Sequence, residues 1–534
     1  MINRRQFLHL ASGGAVGLVT GGFGSLLNLQ TAAAQTKPNA NFVPDLDIAL
    51  KATPGEMQIL PGNPTNVWHY QGQLLKGDRT NLIHLERSYL GPIIRVHRGQ
   101  KIRIRFTNNI PAKTIVHWHG LHVPALMDGH PRLVIPRGET YIYEFEVRNR
   151  AGTYWYHPHP HGQTGHQVYG GMAGFFLVSD DEEKSVGLPG GEYDIPLVIQ
   201  DRTFDNNNQL IYISGHPMER MTGFLGDRIL INGRPDFILQ AATRPYRLRI
   251  LNGSNSRIYR LAWQDGSPMT VIGTDGGLLE KPVYRRYVML GPGERVELWA
   301  DFSRYAVGTE TALISLPFDG GMMGGRRMGR RGMMGGGRMG RGMMGGMMGS
   351  GTVLPNGAGF PVLRIKVNRR EKAGQVLPQK LSAIERYRTQ DAVNPGDPKL
   401  FELLMQHMSF TINGRTFQME SVAPDERVKM NSMEIWEFVN QSSGMGMMGG
   451  MQMPHPIHLH GKQFQVLERQ GVVHEGYVDE GWKDTVLLMP GERIRILVRF
   501  GDYPGLFLYH CHNLEHEDMG MMRNYLVEGS DASG

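Results

Sequence analysis

The single cysteine of the chain stands among residue types that bind metals. Cys511 is flanked by His510 and His512, and His516 and Met521 follow within ten residues. A thiolate, imidazoles and a thioether form the ligand set of a blue-copper electron-transfer site. A lone cysteine is otherwise a small buried hydrophobe or an odd thiol, which would leave the three neighbouring histidines unexplained. The residue types therefore predict a metal centre at Cys511.

Four His-x-His strings indicate a second, larger metal site. Residues i and i+2 of an extended strand point to the same side, so each string can offer two imidazoles to one cluster. Two strings lie before residue 160 and two after residue 457, which predicts a cluster between the first and last parts of the chain. Zinc is the rival metal, but eight histidines are too many for one zinc ion, and zinc does not explain the thiol. The strings are His117-Trp118-His119, His157-Pro158-His159, His458-Leu459-His460 and His510-Cys511-His512.

Alternation along the last string relates the two sites. If residues 510–512 are extended, His510 and His512 face one side and Cys511 faces the other. Two metal centres would then be held back to back by adjacent residues. An electron that arrives at the Cys511 metal would have a short covalent route to the histidine cluster.

Repeated sequence signatures predict the elements that position these residues. One signature is an alternating segment that ends in Asn, and the other is a Pro/Gly/Glu turn followed by an alternating strand. Both recur three times in the same order, which predicts three homologous β-sandwiches of Greek-key type, an all-β fold. Helical periodicity is confined to two modest segments, 380–390 and 399–407. The signatures begin at residues 103, 247 and 434 and at residues 136, 292 and 490.

The N-terminus predicts an export signal. Arg4-Arg5 precedes an uncharged, glycine-rich apolar stretch that reaches Leu29 and is followed by Ala32-Ala33-Ala34. This pattern is typical of a twin-arginine signal peptide cleaved after Ala34. A membrane anchor is the alternative, but the many glycines make a poor spanning helix. The mature protein is expected in the periplasm, where a metal-bound thiolate is protected from oxidation.

The positive charge of the chain is local. The formal charge is +7, but eight arginines lie in residues 1–34 and 320–351, which contain no acidic residue. The rest of the chain is therefore close to neutral. This distribution offers no basis for nucleic-acid binding.

The histidine strings and their neighbours resemble the four signature loops of the multicopper oxidases, in the same order. The resemblance covers essentially the whole mature chain of this 534-residue sequence. It implies an all-β fold of three cupredoxin-like Greek-key β-sandwich domains, at 35–182, 183–370 and 371–534, after the signal peptide 1–34. A Met/Gly/Arg-rich insertion at 319–358 interrupts the second domain. The loops are His117–Gly120, Tyr156–His159, His455–Gly461 and His510–Met521.

The same resemblance implies four copper ions and twelve ligands. One is a type 1 copper, one a type 2 copper, and two form a type 3 pair. The type 1 copper takes His455, Cys511, His516 and the axial Met521. The type 2 copper takes His117 and His458, and the type 3 pair takes His119, His157, His159, His460, His510 and His512.

Three other residues are alternative ligands, and two acidic residues are candidates for proton relay. His161 could replace a neighbouring histidine, and Met519 or Met522 could replace the axial methionine, although the spacing of ten from the cysteine favours Met521. Asp128 and Glu517 match acidic positions that resemble proton-relay residues of related bacterial oxidases. Their alternative role is that of solvated surface or turn acids.

Two methionine-rich segments indicate soft-metal chemistry. Residues 320–350 contain ten methionines among Gly and Arg, and residues 445–453 contain five more. Their spacing is not helical and the glycine density is too high for a packed core. Thioether is a soft ligand that prefers Cu(I), so a copper-collecting or substrate-gating role is predicted. The alternative is an unstructured insertion whose methionines scavenge oxidants.

These methionines resemble those of bacterial copper-tolerance oxidases, which oxidise Cu(I). Met453 matches a substrate-copper ligand of some of them, and Met451 stands where that relative has an acid. The expected activity is therefore oxidation of Cu(I), or of Fe(II), coupled to reduction of O2 to water, by a monomer exported through the twin-arginine machinery. A laccase acting on phenols and aromatic amines is the alternative. A non-enzymatic cupredoxin scaffold or a copper-storage protein would not need all twelve ligands.

Overall fold

The computed structural model describes residues 37–213, 217–320, 354–372, 374–406, 409–441 and 453–529. The predicted signal peptide 1–34, residues 321–353 of the predicted insertion, and Met451 lie outside these ranges. The described residues form almost entirely β-structure, arranged as six sheets in three consecutive pairs. The predicted all-β fold class is confirmed.

The first sandwich is built from nine strands, and its two sheets share one apolar core. One sheet has the strand order β2-β1-β5-β7 and the other β3-β4-β9-β8-β6. The strands are β1 (Leu46–Met57), β2 (Thr65–Lys76), β3 (Leu82–Ile83), β4 (Ile93–His97), β5 (Lys101–Asn108), β6 (Val116–His119), β7 (Thr140–Glu146), β8 (Gly152–Pro158) and β9 (Gly174–Ser179).

The middle sandwich has eleven strands and its own core. Its sheets have the orders β11-β10-β13-β18-β15-β16 and β12-β20-β19-β14-β17. The strands are β10 (Asp194–Arg202), β11 (Arg228–Ile231), β12 (Ile238–Ala242), β13 (Pro245–Asn252), β14 (Tyr259–Trp263), β15 (Met269–Thr274), β16 (Gly277–Arg285), β17 (Val288–Leu290), β18 (Arg295–Asp301), β19 (Glu310–Ser315) and β20 (Phe360–Arg369).

The third sandwich has ten strands, and Cys511 lies in its core. Its sheets have the orders β22-β21-β24-β28-β26 and β23-β30-β29-β25-β27. The strands are β21 (Lys399–Gln406), β22 (Ser409–Ile412), β23 (Arg427–Lys429), β24 (Met433–Asn440), β25 (His455–Leu459), β26 (Phe464–Gln470), β27 (Thr485–Leu488), β28 (Arg493–Arg499), β29 (Gly505–Cys511) and β30 (Met522–Glu528).

The three sandwiches repeat one local design, as the signatures predicted. In each, the first signature strand pairs antiparallel with the strand that follows the turn: β5 with β7, β13 with β18, and β24 with β28. The Asn that ends the first strand donates two side-chain hydrogen bonds to backbone carbonyls. The turn itself needs a left-handed residue, supplied by Gly138 (φ 89°), Gly293 (φ 84°) and Gly491 (φ 82°).

Helices in the described ranges are short and peripheral. The helical prediction for 399–407 is wrong, because residues 399–406 form β21, which is paired in parallel with β24. Tertiary pairing here overrides a weak local preference. The prediction for 380–390 is also wrong, since only a 3-10 turn begins there, at Thr389. The helices are α1 (Thr164–Tyr169), α2 (Asp181–Val186), α3 (Pro217–Thr222) and α4 (Leu514–Asp518).

Single 3-10 turns connect several strands, and the helices bear on two of the sequence predictions. The predicted boundary at 182/183 falls within α2 and that at 370/371 falls between β20 and β21, and both boundaries stay predictions. None of the helices in the described ranges has the length and apolar character needed to cross a bilayer. The 3-10 turns are Arg79–Asn81, Ala125–Met127, Pro131–Leu133, Gly191–Tyr193, Thr389–Asp391 and Pro424–Glu426.

Candidate metal centre

Two pairs of neighbouring strands carry the four histidine strings. In the first sandwich β6 pairs with β8, which sets His117 opposite His157. In the third sandwich β25 pairs with β29, which sets His458 opposite His510. The second histidine of each string lies at the end of its strand or just beyond it. The strands thus bring four imidazoles of each sandwich to the surface where the two sandwiches meet.

Eight imidazoles converge at this interface, and we refer to them as the histidine cluster. Rings from the two sandwiches stack in pairs, His117 on His460 and His119 on His458, each with 3.7 Å between ring centroids. All eight side chains are buried. Groups of three within the cluster have ligand atoms within 4.8 Å of one another, close enough to bind one ion. The members are His117, His119, His157, His159, His458, His460, His510 and His512.

Hydrogen bonds to carbonyl groups show why the cluster fits cations. Nδ1 of His117 lies 2.7 Å from the carbonyl oxygen of Asp128, and Nδ1 of His458 lies 2.8 Å from that of Asp484. A carbonyl oxygen only accepts, so each Nδ1 carries the proton and each Nε2 presents a lone pair. The two Nε2 atoms are 3.3 Å apart. Two facing lone pairs are favourable only with a cation bound to them, so His117 and His458 fit a metal site.

Other ring nitrogens of the histidine cluster are also placed where a bound cation would be favourable. Nε2 of His460 and Nε2 of His510 are 3.0 Å apart, and the Nδ1 atom of each faces an acceptor oxygen. Nε2 of His157 and both ring nitrogens of His512 are buried without a hydrogen-bond partner in the described chain. Unpaired buried nitrogens are costly unless a metal binds them. The cluster therefore fits several metal ions rather than a network of protein hydrogen bonds.

Cys511, His455 and His516 form a second group, which we call the thiolate group. Sγ of Cys511 lies 3.3 Å from Nδ1 of His455 and 3.8 Å from Nδ1 of His516. Nε2 of His516 lies 3.1 Å from the carbonyl oxygen of Met221, so its Nδ1 presents the lone pair to the sulfur. The backbone N–H of Asn513 donates to Sγ at 3.4 Å. The group fits one soft metal ion.

The two groups lie on opposite sides of one strand end. Cys511 belongs to the apolar core of the third sandwich, whereas His510 and His512 face imidazoles of the first sandwich. Successive residues alternate sides on an extended strand, and this alternation was predicted for residues 510–512. Only the covalent chain of adjacent residues separates the two groups.

Burial sets the protonation state of both groups. It lowers the pKa of His455, His157 and His512 to about 3, because the charged imidazolium is poorly solvated inside the protein. Neutral imidazole is the form that binds metals. Burial also raises the pKa of the Cys511 thiol. A bound cation would be needed to keep this buried sulfur as a thiolate.

The structure gives different surroundings to the predicted axial ligand, to the residues that could replace a predicted ligand, and to the methionine predicted to bind substrate copper. Met521 is fully buried in the same apolar cluster as Cys511, and Met519 packs at the edge of that cluster. Met522 belongs to a separate cluster with Phe417 and Leu508. His161 is exposed, with its ring 4.8 Å from that of Phe417. Met453 is buried.

The two predicted acids both face the histidine cluster. Oδ2 of Asp128 lies 2.7 Å from Nδ1 of His460, and Oε2 of Glu517 lies 3.1 Å from Nδ1 of His510. Burial raises the pKa of Asp128 well above its usual range. Burial also acts to raise the pKa of Glu517, but His510 and His159 outweigh it and lower that pKa. These are not solvated surface acids.

Several residues that orient candidate ligands were not predicted. The carboxylate of Asp484 lies 3.1 Å from Nε2 of His119 and pairs with Arg295. The hydroxyl of Thr485 lies 3.1 Å from Nδ1 of His458. The adjacent Lys483 and Asp484, immediately before the buried strand β27, were the available signal. In the sequence, Arg295 is distinguished only by its place in the repeated turn that begins at Pro292.

Family models identify two parts of the chain. Residues 66–183 and residues 392–531 each match a model described as "Multicopper oxidase". A laccase of Bacillus stratosphericus is 31% identical over an alignment that covers 86% of this chain and 90% of that protein. These matches include all four histidine strings.

Solved structures show the same architecture. McoA multicopper oxidase from Aquifex aeolicus has a TM-score of 0.74 and 34% identity, and the match covers 91% of this chain and 97% of that one. A multicopper oxidase from Campylobacter jejuni, described as a metallo-oxidase, has a TM-score of 0.69 and 26% identity, over 94% and 98% of the two chains. Both agree with the cupredoxin-like sandwiches expected from the sequence.

Proposed function

Since the chain belongs to the multicopper oxidase family of oxidoreductases that use O2, we propose that it oxidises Cu(I) to Cu(II). Four such one-electron oxidations, with four protons, reduce one O2 to two waters. Fe(II) is a second candidate donor. The observation that carries the choice of a small donor is the burial of both imidazoles of the thiolate group, His455 at 3% exposure and His516 at 0%.

We assign four copper ions to the two groups. The facing lone pairs of the histidine cluster and the sulfur–imidazole contacts of the thiolate group support this assignment. The type 1 copper would be held by His455, Cys511, His516 and Met521. The type 2 copper takes His117 and His458, and the type 3 pair takes His119, His157, His159, His460, His510 and His512.

Bound copper would supply reversible one-electron redox changes and, as a set of four ions, storage for the four electrons that O2 requires. The protein supplies the path between the two groups, through Cys511 and the peptide bonds to His510 and His512. The apolar core around Cys511 excludes water from the sulfur. Cross-sandwich stacking of imidazoles holds the histidine cluster in one geometry.

Asp128 and Glu517 are assigned to proton delivery. Oδ1 of Asp128 is buried without a hydrogen-bond partner among the described residues, and Oδ2 faces His460. The raised pKa lets this carboxyl hold a proton, whereas the lowered pKa of Glu517 keeps that group ionised. Two carboxyls whose environments separate their pKa values are suited to acid and base roles.

Residues near His455 and His516 would determine which electron donor reaches the thiolate group. The carbonyl of Met221 accepts from His516, and the Met221 side chain lies in the same core cluster as Cys511. Met453, two residues before His455, is buried. With Met451 and the segment 320–350, these thioethers support a soft cation as the donor. The protein would act in the periplasm as a monomer, after export through the twin-arginine machinery.

The laccase alternative keeps the same copper centres and changes only the donor. It draws support from the Bacillus stratosphericus relative, which is a laccase. Steady-state rates with Cu(I), Fe(II) and a phenol, measured with the copper-loaded enzyme, separate the two. Phenol oxidation far faster than Cu(I) oxidation would favour the laccase.

Two variants test the role of the methionines. Met453→Leu keeps the side-chain volume but removes the thioether, so Cu(I) oxidation should fall while phenol oxidation holds. Met269→Leu, in the core of the middle sandwich, is the matched control and should change neither. Deletion of 320–350 should lower Cu(I) oxidation and raise phenol oxidation. Unchanged Cu(I) turnover in both the Met453 variant and the deletion would refute the thioether role.

A further inference from the structure

The middle sandwich contributes none of the twelve candidate ligands, yet one of its turns touches the histidine cluster. The turn Pro292–Arg295 leads into β18. A Cβ on Gly293 would lie 3.0 Å from the ring of His512, which is tighter than ordinary van der Waals contact, and the φ of 84° also favours glycine there. The next arginine, Arg295, is fully buried at the junction of all three sandwiches.

Every N–H donor of the Arg295 guanidinium is used. Nη1 and Nη2 donate to the two carboxylate oxygens of Asp484 at 2.7 and 2.5 Å. Nε donates to the carbonyl of Thr153 in the first sandwich at 2.9 Å. The remaining two N–H groups donate to the carbonyls of Gly293 and Asp275 in the middle sandwich. A saturated planar fork of this kind fixes its partner in one orientation.

Asp484 passes this constraint to two candidate ligands. Its Oδ1 lies 3.1 Å from Nε2 of His119, so His119 can donate there and keep its buried, unpartnered Nδ1 available to a metal. Its backbone carbonyl accepts from Nδ1 of His458 at 2.8 Å. One residue therefore orients a ligand from the first sandwich and a ligand from the third.

Neighbouring charges hold the same segment of the third sandwich. Oδ2 of Asp275 lies 3.0 Å from Nζ of Lys483 and accepts the backbone N–H groups of Asp484 and Thr485. Oε1 of Glu294 lies 3.0 Å from the same lysine. Two acidic residues of the middle sandwich thus hold residues 483–485 through ion pairs and backbone hydrogen bonds.

The corresponding turns of the other sandwiches lack this contact. Arg493 occupies the equivalent place in the third sandwich, where it is 43% exposed and pairs with Glu437 of its own sheet. The first sandwich has Thr140 there. The role of Arg295 is therefore not a general requirement of the repeated turn.

We propose that Arg295 is a positioning residue, through which the middle sandwich holds His119 and His458 in the geometry that the type 3 and type 2 coppers require. The inference rests on the proposed copper assignment. Groups that orient metal ligands in this way typically account for about 10- to 100-fold in metal affinity or activity. The thiolate group lies outside this network and should keep its metal.

The test uses the full-length, copper-loaded enzyme and reads copper per chain, the type 2 EPR signal and the blue type 1 absorption. Arg295→Met should lose type 2 copper to a chelator about 10- to 100-fold more readily than the wild type, with the blue absorption unchanged. Arg295→Lys keeps the charge without the fork and should fall in between.

Arg247→Met is the matched control. Arg247 is equally buried in the middle sandwich, where it pairs with Glu297 and Glu183. Its loss should lower thermal stability and leave the type 2 signal as in the wild type. A general effect of removing a buried arginine would change both variants alike and would refute a specific positioning role.

Wild-type copper retention and an unaltered type 2 signal in Arg295→Met would overturn the proposal. If Arg295→Met does not fold, Arg295→Lys and Asp484→Asn are measured instead. Wild-type copper retention and type 2 signals in both of these variants would also overturn the proposal. Asp484→Asn keeps the carbonyl that His458 uses and removes the anionic acceptor of His119. Absence of type 1 and type 2 signals from the wild type itself would instead refute the copper assignment.

Discussion

The thiolate group and the histidine cluster lie back to back, but they are built in different ways. The three members of the thiolate group come from the third sandwich alone and are surrounded by its apolar core. The histidine cluster takes four imidazoles from each of two sandwiches and is bordered by buried carboxyl groups, among them those of Asp128, Asp484 and Glu517. The thiolate group is thus formed within one sandwich among apolar side chains, whereas the histidine cluster is formed between two sandwiches beside polar ones.

This difference fits the roles proposed for the two groups. A buried thiolate with few neighbouring dipoles suits electron transfer, because little has to reorganise when its charge changes. Under the proposed function the cluster must also receive protons, and its imidazoles need partners for their second nitrogens. We therefore expect the thiolate group to depend mainly on the folding of the third sandwich, with one further contact from Met221, which lies between β10 and β11. The cluster should depend on the docking of all three sandwiches.

Replacing the sulfur should separate the two regions most completely. In Cys511→Ser the blue thiolate-to-copper absorption should vanish and oxidase activity should fall to background, because electrons no longer enter. The copper of the histidine cluster should stay bound, since its ligands are elsewhere. Absorption spectra, copper content and O2 consumption measure this. Persistent oxidase activity would refute electron entry at Cys511, and loss of all copper would refute the independence of the two regions.

Removing a cluster acid should have the next largest effect. In Asp128→Asn the O2-reduction step should slow by about 10²- to 10⁴-fold, the usual contribution of a positioned acid or base, with the blue absorption retained. Rapid reoxidation of the reduced enzyme by O2 measures this step. Asp502→Asn is the control, because Asp502 pairs with His122 at the surface and its loss should leave reoxidation unchanged. Equal rates in the two variants would remove Asp128 from proton delivery.

A smaller effect is expected where an aromatic ring supports the thiolate group. The ring of Phe410 stacks on His516, with centroids 4.0 Å apart. Phe410→Leu should lower the free energy of unfolding by about 1 kcal/mol and shift the blue absorption, with less than tenfold loss of activity. Phe500→Leu, in the same core, should lower stability similarly without the spectral shift. A shift in neither variant would mean that the stack does not tune the site.

The smallest effect concerns an ion pair that joins the first and third sandwiches. Burial alone would raise the pKa of Asp502, but hydrogen bonds from His122, from the backbone and from Arg148 together outweigh burial and lower that pKa to about 2. Its folded pKa is below the usual 3.8, so the stability it contributes is present above about pH 4 and is lost as the pH falls towards 2. At this exposed position Asp502→Asn should cost at most about 1 kcal/mol at pH 7. Unfolding at pH 7 and near pH 3 should show this difference shrinking, and a constant difference would refute the charge contribution.

Local patterns carried most of the fold prediction. The Pro/Gly/Glu turns and the Asn-terminated strands occur where the sequence placed them, because a left-handed glycine and a side-chain amide bound to two carbonyls are local requirements. The helical expectation for 399–407 failed. There the pairing of β21 with β24 decided the structure, and sequence periodicity carries no information about such a distant partner.

The sequence by itself determined which residues could bind metal and how they are grouped along the chain, because strand alternation converts His-x-His into paired ligands and turns Cys511 to the opposite side. Only the tertiary structure decided how those ligands are held. Asp484 contacts His119 across 365 positions of sequence. Arg295 belongs to the middle sandwich, which supplies no ligand, and it donates hydrogen bonds to Asp484. Such contacts depend on the docking of three sandwiches, and no spacing within one segment encodes that docking.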